Sequence, residues 1–533
     1  MQLGVSLRSL AHGFLACSML AAAGVAQQNV CVIVLDDCGP ELLGAYDLYF
    51  ASIGKPSGWP ANTPAIDGML AARGLMFTRA WAAPVCTPTR AQMLTGRYAS
   101  RCGVGSTLVP RDLWHEPGLD PATVTLPELL GEAPVPYHRA ALGKWHLASH
   151  DQIAAWPLHP LGEPAGRWFE HFAGPLYNLQ KPEGLPASAS SYTNWIKHFA
   201  TLDGNVLGLG SEGLATGSID VLEGSPSSYA IVDTANDALK MINTLREPWF
   251  MWVSFNSVHV PAHVVPPGLP DAECAGYEPP LVPCVAAPSA SKAEKVRCML
   301  EALDGQVARV VCALDESDTT VVLVGDNGTS KYALVPPYPS SHGKATVYES
   351  GVHVPMIVRS PLIPPGTAGT TCDALVNTLD VFATVCDLAQ VDPAASTGSD
   401  SISLLPYLLG STLPLRATNY AEMFNPNFTP DANGAPPPGY SGIRHDQALR
   451  DERFKLIRRT RRTHGGIVVA EELYDLAQGG PPDPGTTPPS PTADFFEQND
   501  LLDAAAPPLS PEAAAALTRL RAELDALHPT LVL

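Results

Sequence analysis

The stretch Asn29 to Gly44, NVCVIVLDDCGPELLG, decides the fold. Val30 to Leu35 is an unbroken apolar run that ends in Asp36 and Asp37 and then in a Gly-Pro break. A strand with one wet face alternates polar and apolar residues, so a continuous run reads as a parallel strand covered on both faces. The same design returns in HRAALGKWHL, in EPWFMWVSFNSVHVPAH and in DTTVVLVGDNG, each an apolar strand with a polar or glycine-containing end. TPAIDGMLAARG from Thr63 to Gly74, VDTANDALKMINTLRE and EKVRCMLEALDGQVARVVCALDE show helical spacing. Strands alternating with helices predict a large doubly wound α/β sheet flanked by helices, with ligands bound outside the carboxyl ends of its strands.

Past about Pro406 the character changes. The short alternating pieces YSGIRHDQALRDERFKLIRR and EELYDLAQGG precede the Pro-rich GGPPDPGTTPPSPT and a terminal helical stretch, PEAAAALTRLRAELDAL. This predicts a smaller antiparallel sheet with one helix. The expected organisation is therefore a leader over residues 1–26, a catalytic α/β domain over 27–405 and a C-terminal α+β subdomain over 406–533. A length of 533 residues is ample for one large core and one small one.

The leader carries Arg8, an apolar stretch and the small-residue run AGVA before Gln27. That is the pattern of a secretory signal cleaved near Ala26, so export to the periplasm or the exterior is expected. The apolar run is short for a membrane anchor and no stop-transfer charges follow; lipidation of Cys17 is a weaker alternative. Export permits disulfides, and Cys274 with Cys284 is a candidate pair around a Gly/Pro loop. Cys31, Cys298, Cys312 and Cys386 lie in apolar runs and read as core residues. No Cys-x-x-Cys spacing supports zinc. The net charge of −20 excludes nucleic acid as a partner, and any anionic substrate must meet positive charge concentrated in a pocket.

Two strand ends carry the metal chemistry. Asp36 and Asp37 repel each other unless a cation lies between them, and Asp326 and Asn327 in GDNG supply two more oxygen donors. Such a hard-oxygen set suits Ca²⁺, with Mg²⁺ second and zinc poorly matched. GKWHL offers Lys144 and His146 at another strand end, SVHVPAH offers His259, and SHGKATVYESGVHVP offers Lys344. In PVCTPTRAQMLTG, Pro88 suits a first helical turn, which puts Cys86 at a helix N-terminus with Arg90 one turn on. Half of a disulfide, a thiol nucleophile and a processed cysteine are all compatible with that position.

These motifs, in their order and spacing, resemble the formylglycine-dependent sulfatases of the alkaline phosphatase superfamily, whose Cys-x-Pro-x-Arg cysteine is oxidised to formylglycine during export. PVCTPTRAQMLTG matches the signature along its length. The resemblance extends through VIVLDDCG, GKWHL, His259-x-Pro261, GDNG and GKATVYESGVHVP to FKLI and ELYDL. It implies a large mixed sheet of the alkaline-phosphatase type and Ca²⁺ held by Asp36, Asp37, Asp326, Asn327 and an oxygen of modified residue 86. It also implies a formylglycine-generating enzyme as maturation partner. One hydroxyl of the aldehyde hydrate at residue 86 would attack sulfur and expel the alcohol, and the second would let the sulfated diol collapse. Arg90 and His146 would steady the diol, while Lys144, His259 and Lys344 would bind sulfate and assist the leaving group. Thr89 departs from the commoner Ser or Ala, and Cys38 from an apolar residue.

The expected activity is hydrolysis of an aryl or carbohydrate sulfate monoester, with no nucleic acid and no membrane span. The rivals are a phosphonate or phosphate ester hydrolase on the same scaffold and an unmodified anion-binding homologue. Tyr192 and Trp195, within a segment from Tyr177 to Ser225 that reads as irregular loops, are candidates for stacking on a sugar ring.

Overall fold

The computed structural model describes residues 27–527 apart from 53–58, 109–115, 148, 150–167, 187–188, 202–218, 223–228, 281–283, 397, 432–434, 478–493 and 495. The leader, Cys17 and the Pro-rich run lie outside the described residues. In chain order the elements that matter are β1 (Asn29–Leu35), β2 (Leu75–Trp81), α1 (Cys86–Thr95), β3 (His138–Gly143), β4 (His171–Gly174), β5 (Trp195–Thr201), β6 (Ile219–Leu222) and α2 (Ala230–Ile242). They continue with β7 (Trp249–Ser254), α3 (Lys292–Ala313), β8 (Thr319–Gly325), β9 (Met356–Arg359) and β10 (Thr370–Asn377). A smaller unit holds β11 (Asn419–Asn425), β12 (Arg444–Arg450), β13 (Phe454–Thr463), β14 (Gly466–Asp475) and α4 (Pro511–Leu527).

The expected mixed sheet is present. Ten strands run in the order β10-β2-β9-β8-β1-β7-β3-β4-β5-β6. β8, β1, β7 and β3 are parallel neighbours at its centre, and β9, β5 and β6 pair antiparallel. β1 explains its own composition: Val30, Val32 and Val34 enter the hydrophobic cluster on one face, and Cys31, Ile33 and Leu35 the cluster on the other. All seven of its residues are buried, and the one polar residue among them, Asn29, accepts the Trp249 amide at 3.0 Å through Oδ1, which offsets its lost hydration.

The helix expected after Thr63 is present, and the disulfide pairing and the segment after Tyr177 need correction. Residues 65–73 are helical but not α-helical: a π-helical turn over Ala65–Leu70 runs into a 3-10 turn, its first amides accepted by the buried Asp304 carboxylate at 2.9 Å. Cys274 pairs with Cys312, and Cys284 with Cys298. Cys298 and Cys312 therefore are not plain core thiols. They stand about four turns apart on α3, so the preceding loop is fastened to that helix at two levels, a relation that proximity along the chain does not reveal. Cys31 and Cys386 are buried core residues, as expected. The segment from Tyr177 to Ser225 also contains β5 and β6, two antiparallel strands at the sheet edge, and is not wholly irregular.

The small sheet, β11-β12-β13-β14, packs Ala421, Ala448, Ile457 and Tyr474 against Trp81, Val347 and Val352 of the main unit. A buried ion cluster crosses this contact. Lys455 on β13 lies 3.1 Å from Glu349 and 2.7 Å from Glu497, over the face of Trp81. Burial pushes the Glu497 carboxyl up to about 7, whereas Glu349, despite its burial, is held down to about 2 by Lys455 and Arg450. A raised carboxyl means that the folded chain binds more protons than the unfolded chain between about pH 4.5 and 7, so its stability falls as pH rises through that window. Glu497→Gln should remove that decline. Urea unfolding at pH 5 and pH 7.5 should show the variant less sensitive to the change than the native protein.

Candidate functional site

Four central strands deliver the predicted residues to one place. Asp36 and Asp37 follow β1, and Asp326 and Asn327 follow β8. The pairing of Leu35 with Gly325 sets the two crests side by side, and the Asp326 amide donates to the Leu35 carbonyl at 3.0 Å. Lys144 and His146 leave the end of β3, and His259 follows β7. Gly143 makes the first of these turns possible: its φ is 81°, and a Cβ would lie 2.0 Å from the Ser254 carbonyl oxygen. Asp37, His146 and Ala345 adopt left-handed φ of 61°, 62° and 68° without being glycine. Such strain concentrates where surrounding structure over-determines the backbone, which here is the site.

Helix α1 starts at residue 86. Val85 is extended, every residue from Cys86 to Thr95 is buried, and Gly96 closes the helix in a left-handed turn. The Thr89 hydroxyl accepts the Ala83 amide at 3.0 Å, so threonine fastens the approach to the helix as serine would. Arg90, fully buried, donates through Nε and Nη2 to Asp326 Oδ2 at 3.1 and 2.6 Å. Its Nη1 reaches the Lys144 carbonyl at 2.8 Å and Ser254 Oγ at 2.5 Å. One guanidinium thus joins the helix of residue 86 to three strand ends.

The charges are matched in pairs. Lys144 Nζ lies 2.7 Å from Asp36 Oδ2, Lys344 Nζ contacts Asp37 Oδ1, and Arg90 holds Asp326. Burial alone would raise the Asp37 carboxyl, but Lys344 and His259 hold it below its ordinary value. Burial disfavours the Lys344 charge, and Asp37 more than offsets this, so that ammonium stays protonated. Burial and the Lys144 charge push His146 well below the usual histidine range, and burial likewise lowers His259. Both imidazoles are neutral at neutral pH. A carbonyl can only accept, so the His146 Nε2 contact to the Leu108 oxygen at 2.8 Å leaves Nδ1 unprotonated, 3.4 Å from Cys86 Sγ. By the same logic His259 donates Nδ1–H to the Val260 carbonyl at 2.9 Å and keeps its lone pair on Nε2.

Three polar atoms test whether a cation fits. Asp36 Oδ1, Asn327 Oδ1 and Asn256 Oδ1 are buried with no hydrogen-bond partner. Asn327 instead spends its amide nitrogen on Asp37 Oδ1 at 3.0 Å and on the Gly328 carbonyl at 2.8 Å, turning its oxygen away from them. Ligand atoms of Asp36, Asp326 and Cys86 lie within 4.8 Å of one another, as do those of Asp36, Asp37 and His259. Unpartnered buried oxygens are costly, and a hard divalent ion satisfies them at once.

All ten predicted site residues gather here. Sequence reasoning missed Ser254, a polar residue at the crest of β7, and the Leu108 carbonyl that sets the His146 tautomer. It also placed Tyr192 and Trp195 wrongly. Both are buried, and the Tyr192 hydroxyl sits 2.6 Å from the carbonyls of Asn256 and His259, so it supports the His259 turn and presents no ring to a sugar. Removing the Arg90 fork while keeping its charge, in Arg90→Lys, should lower stability by roughly 2–4 kcal/mol, because Asp326 is then left incompletely paired in the interior. Chemical denaturation measures this, and an unchanged midpoint would contradict the role of the fork.

The family model for Sulfatase matches residues 28–391. N-acetylgalactosamine-6-sulfatase of Canis lupus familiaris is 28% identical over 423 residues, covering 75% of this chain and 70% of the relative. Arylsulfatase J of Mus musculus is 26% identical, covering 82% and 65%. Among solved structures, the PsFucS1 sulfatase from Pseudoalteromonas sp. superposes with a TM-score of 0.62 at 19% identity, covering 97% and 94%. A protein solved with its substrate D-glucosamine-2-N,6-O-disulfate gives 0.60 at 17% identity, covering 94% and 98%.

Proposed function

We propose, for a chain that belongs to the sulfatase family and is a sulfate ester hydrolase, that it acts in exported form on an aryl or glycan sulfate monoester, with residue 86 matured to formylglycine and Ca²⁺ bound at the strand crests. The observation that carries the reading is the pair of unpartnered buried oxygens, Asp36 Oδ1 and Asn327 Oδ1, beside Asp37, Asp326 and the side chain of residue 86. Those residues would hold the ion, which supplies positive charge to the nucleophile and to the sulfate oxygens.

The chain's own groups do the rest. Three carboxylates already balance three basic side chains, so the charge of a divalent ion is left for an anionic substrate to neutralise. Lys144 and Lys344 hold charge at fixed points and need little reorganisation as negative charge grows on sulfate oxygens, which is where preorganised donors contribute most. His146 Nδ1 is unprotonated and aimed at position 86, so it can accept a proton from the group there. His259 keeps a lone pair on Nε2 with ligand atoms of Asp36 and Asp37 close by, so that nitrogen can accept a proton within the site. Arg90 fixes the helix that carries residue 86. A cysteine paired in a disulfide could serve none of this, and Cys86 is a buried free thiol.

Mass spectrometry of the peptide spanning residue 86, from protein made in its natural host, should show the aldehyde in place of the thiol; an unmodified cysteine would refute the mechanism. Dialysis against a calcium chelator should reduce nitrophenyl sulfate turnover at least tenfold, with recovery on adding Ca²⁺. Cys86→Ala should abolish turnover and leave the fold intact.

A further inference from the structure

The inner face of the small sheet extends past its core contact and overhangs the catalytic loop. Ala448 and Ile457 pack against the main unit, and two residues further toward the tip the same face carries Asp446 on β12 and Arg459 on β13, then Arg444 and Arg461. Arg444 and Arg461 are register partners, directly opposite across the two strands. Like charges so placed are destabilising, and two neutral residues would pair better. Both guanidiniums rest on one carboxylate: Arg444 Nε donates to Asp446 Oδ2 at 2.7 Å, and Arg461 contacts Asp446 Oδ1. Asp446 is 2% exposed, whereas the arginines are 34% and 36% exposed. The cluster therefore holds two positive charges against one buried negative charge, with the excess turned to solvent. The next pair inward, Arg459 with Glu472, is balanced.

The position is as telling as the charge. Arg444 Nη2 lies 3.3 Å from the carbonyl of Ala345, the neighbour of Lys344, whose ammonium touches Asp37. Arg459 stacks over Tyr348 in the same loop, which seats this end of the sheet on the segment that carries the catalytic lysine. In a protein of net charge −20, a fixed cationic excess one residue from that lysine is a specific device.

We propose that Arg444 and Arg461, braced by Asp446, form a second oxyanion subsite at the rim of the catalytic centre, which holds a further acidic group of a multiply charged glycan while another sulfate is cleaved. The inference rests on the sulfatase reading and narrows it from sulfate monoesters in general to polyanionic sugars. The Nε–Nη2 fork of Arg444 is spent on Asp446 and Arg461 Nη1 on Asp446 and the Thr460 carbonyl, so a sulfate or carboxylate would be met by Arg444 Nη1 and by Arg461 Nε and Nη2.

Binding separates this inference from the reading beneath it. Full-length Cys86→Ala protein, loaded with Ca²⁺, is titrated by calorimetry with three probes: N-acetylgalactosamine 6-sulfate, its 4,6-disulfate, and the 6-sulfate joined to a hexuronate. The disulfate or the hexuronate conjugate should bind roughly ten- to a hundredfold more tightly than the singly charged sugar. The probe that gains identifies the second group as sulfate or carboxylate. Arg461→Ala, which leaves Asp446 paired with Arg444, should erase most of that gain without changing affinity for the single sulfate. Arg461→Lys should restore part of it, and raising the salt should shrink it. No gain from either second anion, or an equal loss on all three probes in Arg461→Ala, overturns the subsite. Should the alanine variant fail to fold, Arg461→Gln is read in the same way. If the matured enzyme hydrolyses no sulfate ester while the binding preference persists, the sulfatase reading fails and the subsite stands.

Discussion

The Arg90–Asp326 pair is the interaction on which the site depends. Its two partners are fully buried and lie 236 residues apart in the chain, one on the helix that presents residue 86 and one at the crest of β8. The same guanidinium takes up the Lys144 carbonyl and Ser254 Oγ, so β3 and β7 are drawn to the same point. A buried charge pair of this kind adds little net stability compared with apolar packing, yet breaking it is severe because each partner is then left uncompensated. Its value here is positional. Residue 86, Lys144 and the Asp326 carboxylate cannot drift apart without stranding a charge in a dry interior.

That arrangement resolves the conflict between a strongly acidic chain and an anionic substrate. The overall field repels anions, but within the pocket every carboxylate already has a basic partner or an oxygen free for a cation. What a sulfate ester meets on entry is thus set by a few fixed charges at short range, where the low local dielectric strengthens them, while solvent screens the distant surface acids. Both site histidines stay neutral for the same reason: burial and the neighbouring ammonium groups make a further positive charge unfavourable. They remain available as proton acceptors in a pocket rich in cations.

The central strands and the residues at their ends were legible because the signal is local. An apolar run that stops at a carboxylate states both the burial of the strand and the position of its crest, as in β1 and β8; β3 and β7 carry the same signal less sharply, since Arg139 lies within the one and Phe255 to Val258 separate the other from His259. Relations between distant segments were not legible. Ser254 looks like any serine until Arg90 arrives beside it, and Cys274 finds Cys312 rather than Cys284 because α3 presents its cysteines toward the loop. Tyr192 and Trp195 suggested a sugar platform through their chemistry, but exposure is a tertiary property, and the turn that holds His259 buries the tyrosine. The helix after Thr63 was recognisable as helix, but the group that takes up its first amides, Asp304 on α3, is far along the chain and was not.

The small sheet is more than a cover for the main unit, because the loop from Lys344 to Val352 is fastened to it at several points. Glu349 meets Lys455 and Arg450, the Tyr348 hydroxyl lies 2.8 Å from Glu472, and the Ala345 carbonyl meets Arg444. Lys344 sits at the start of this loop, beside a backbone held in the left-handed region at Ala345. A residue in that conformation does not persist on local preference alone; contacts on both sides must hold it. On one side the Ala345 amide donates to the Pro84 carbonyl at 2.8 Å, next to the helix of residue 86, and on the other its carbonyl meets the guanidinium from β12. Lys344 is therefore positioned jointly by the segment that leads into the helix of residue 86 and by the second sheet, which makes that sheet part of what shapes the site rather than an appendage to it.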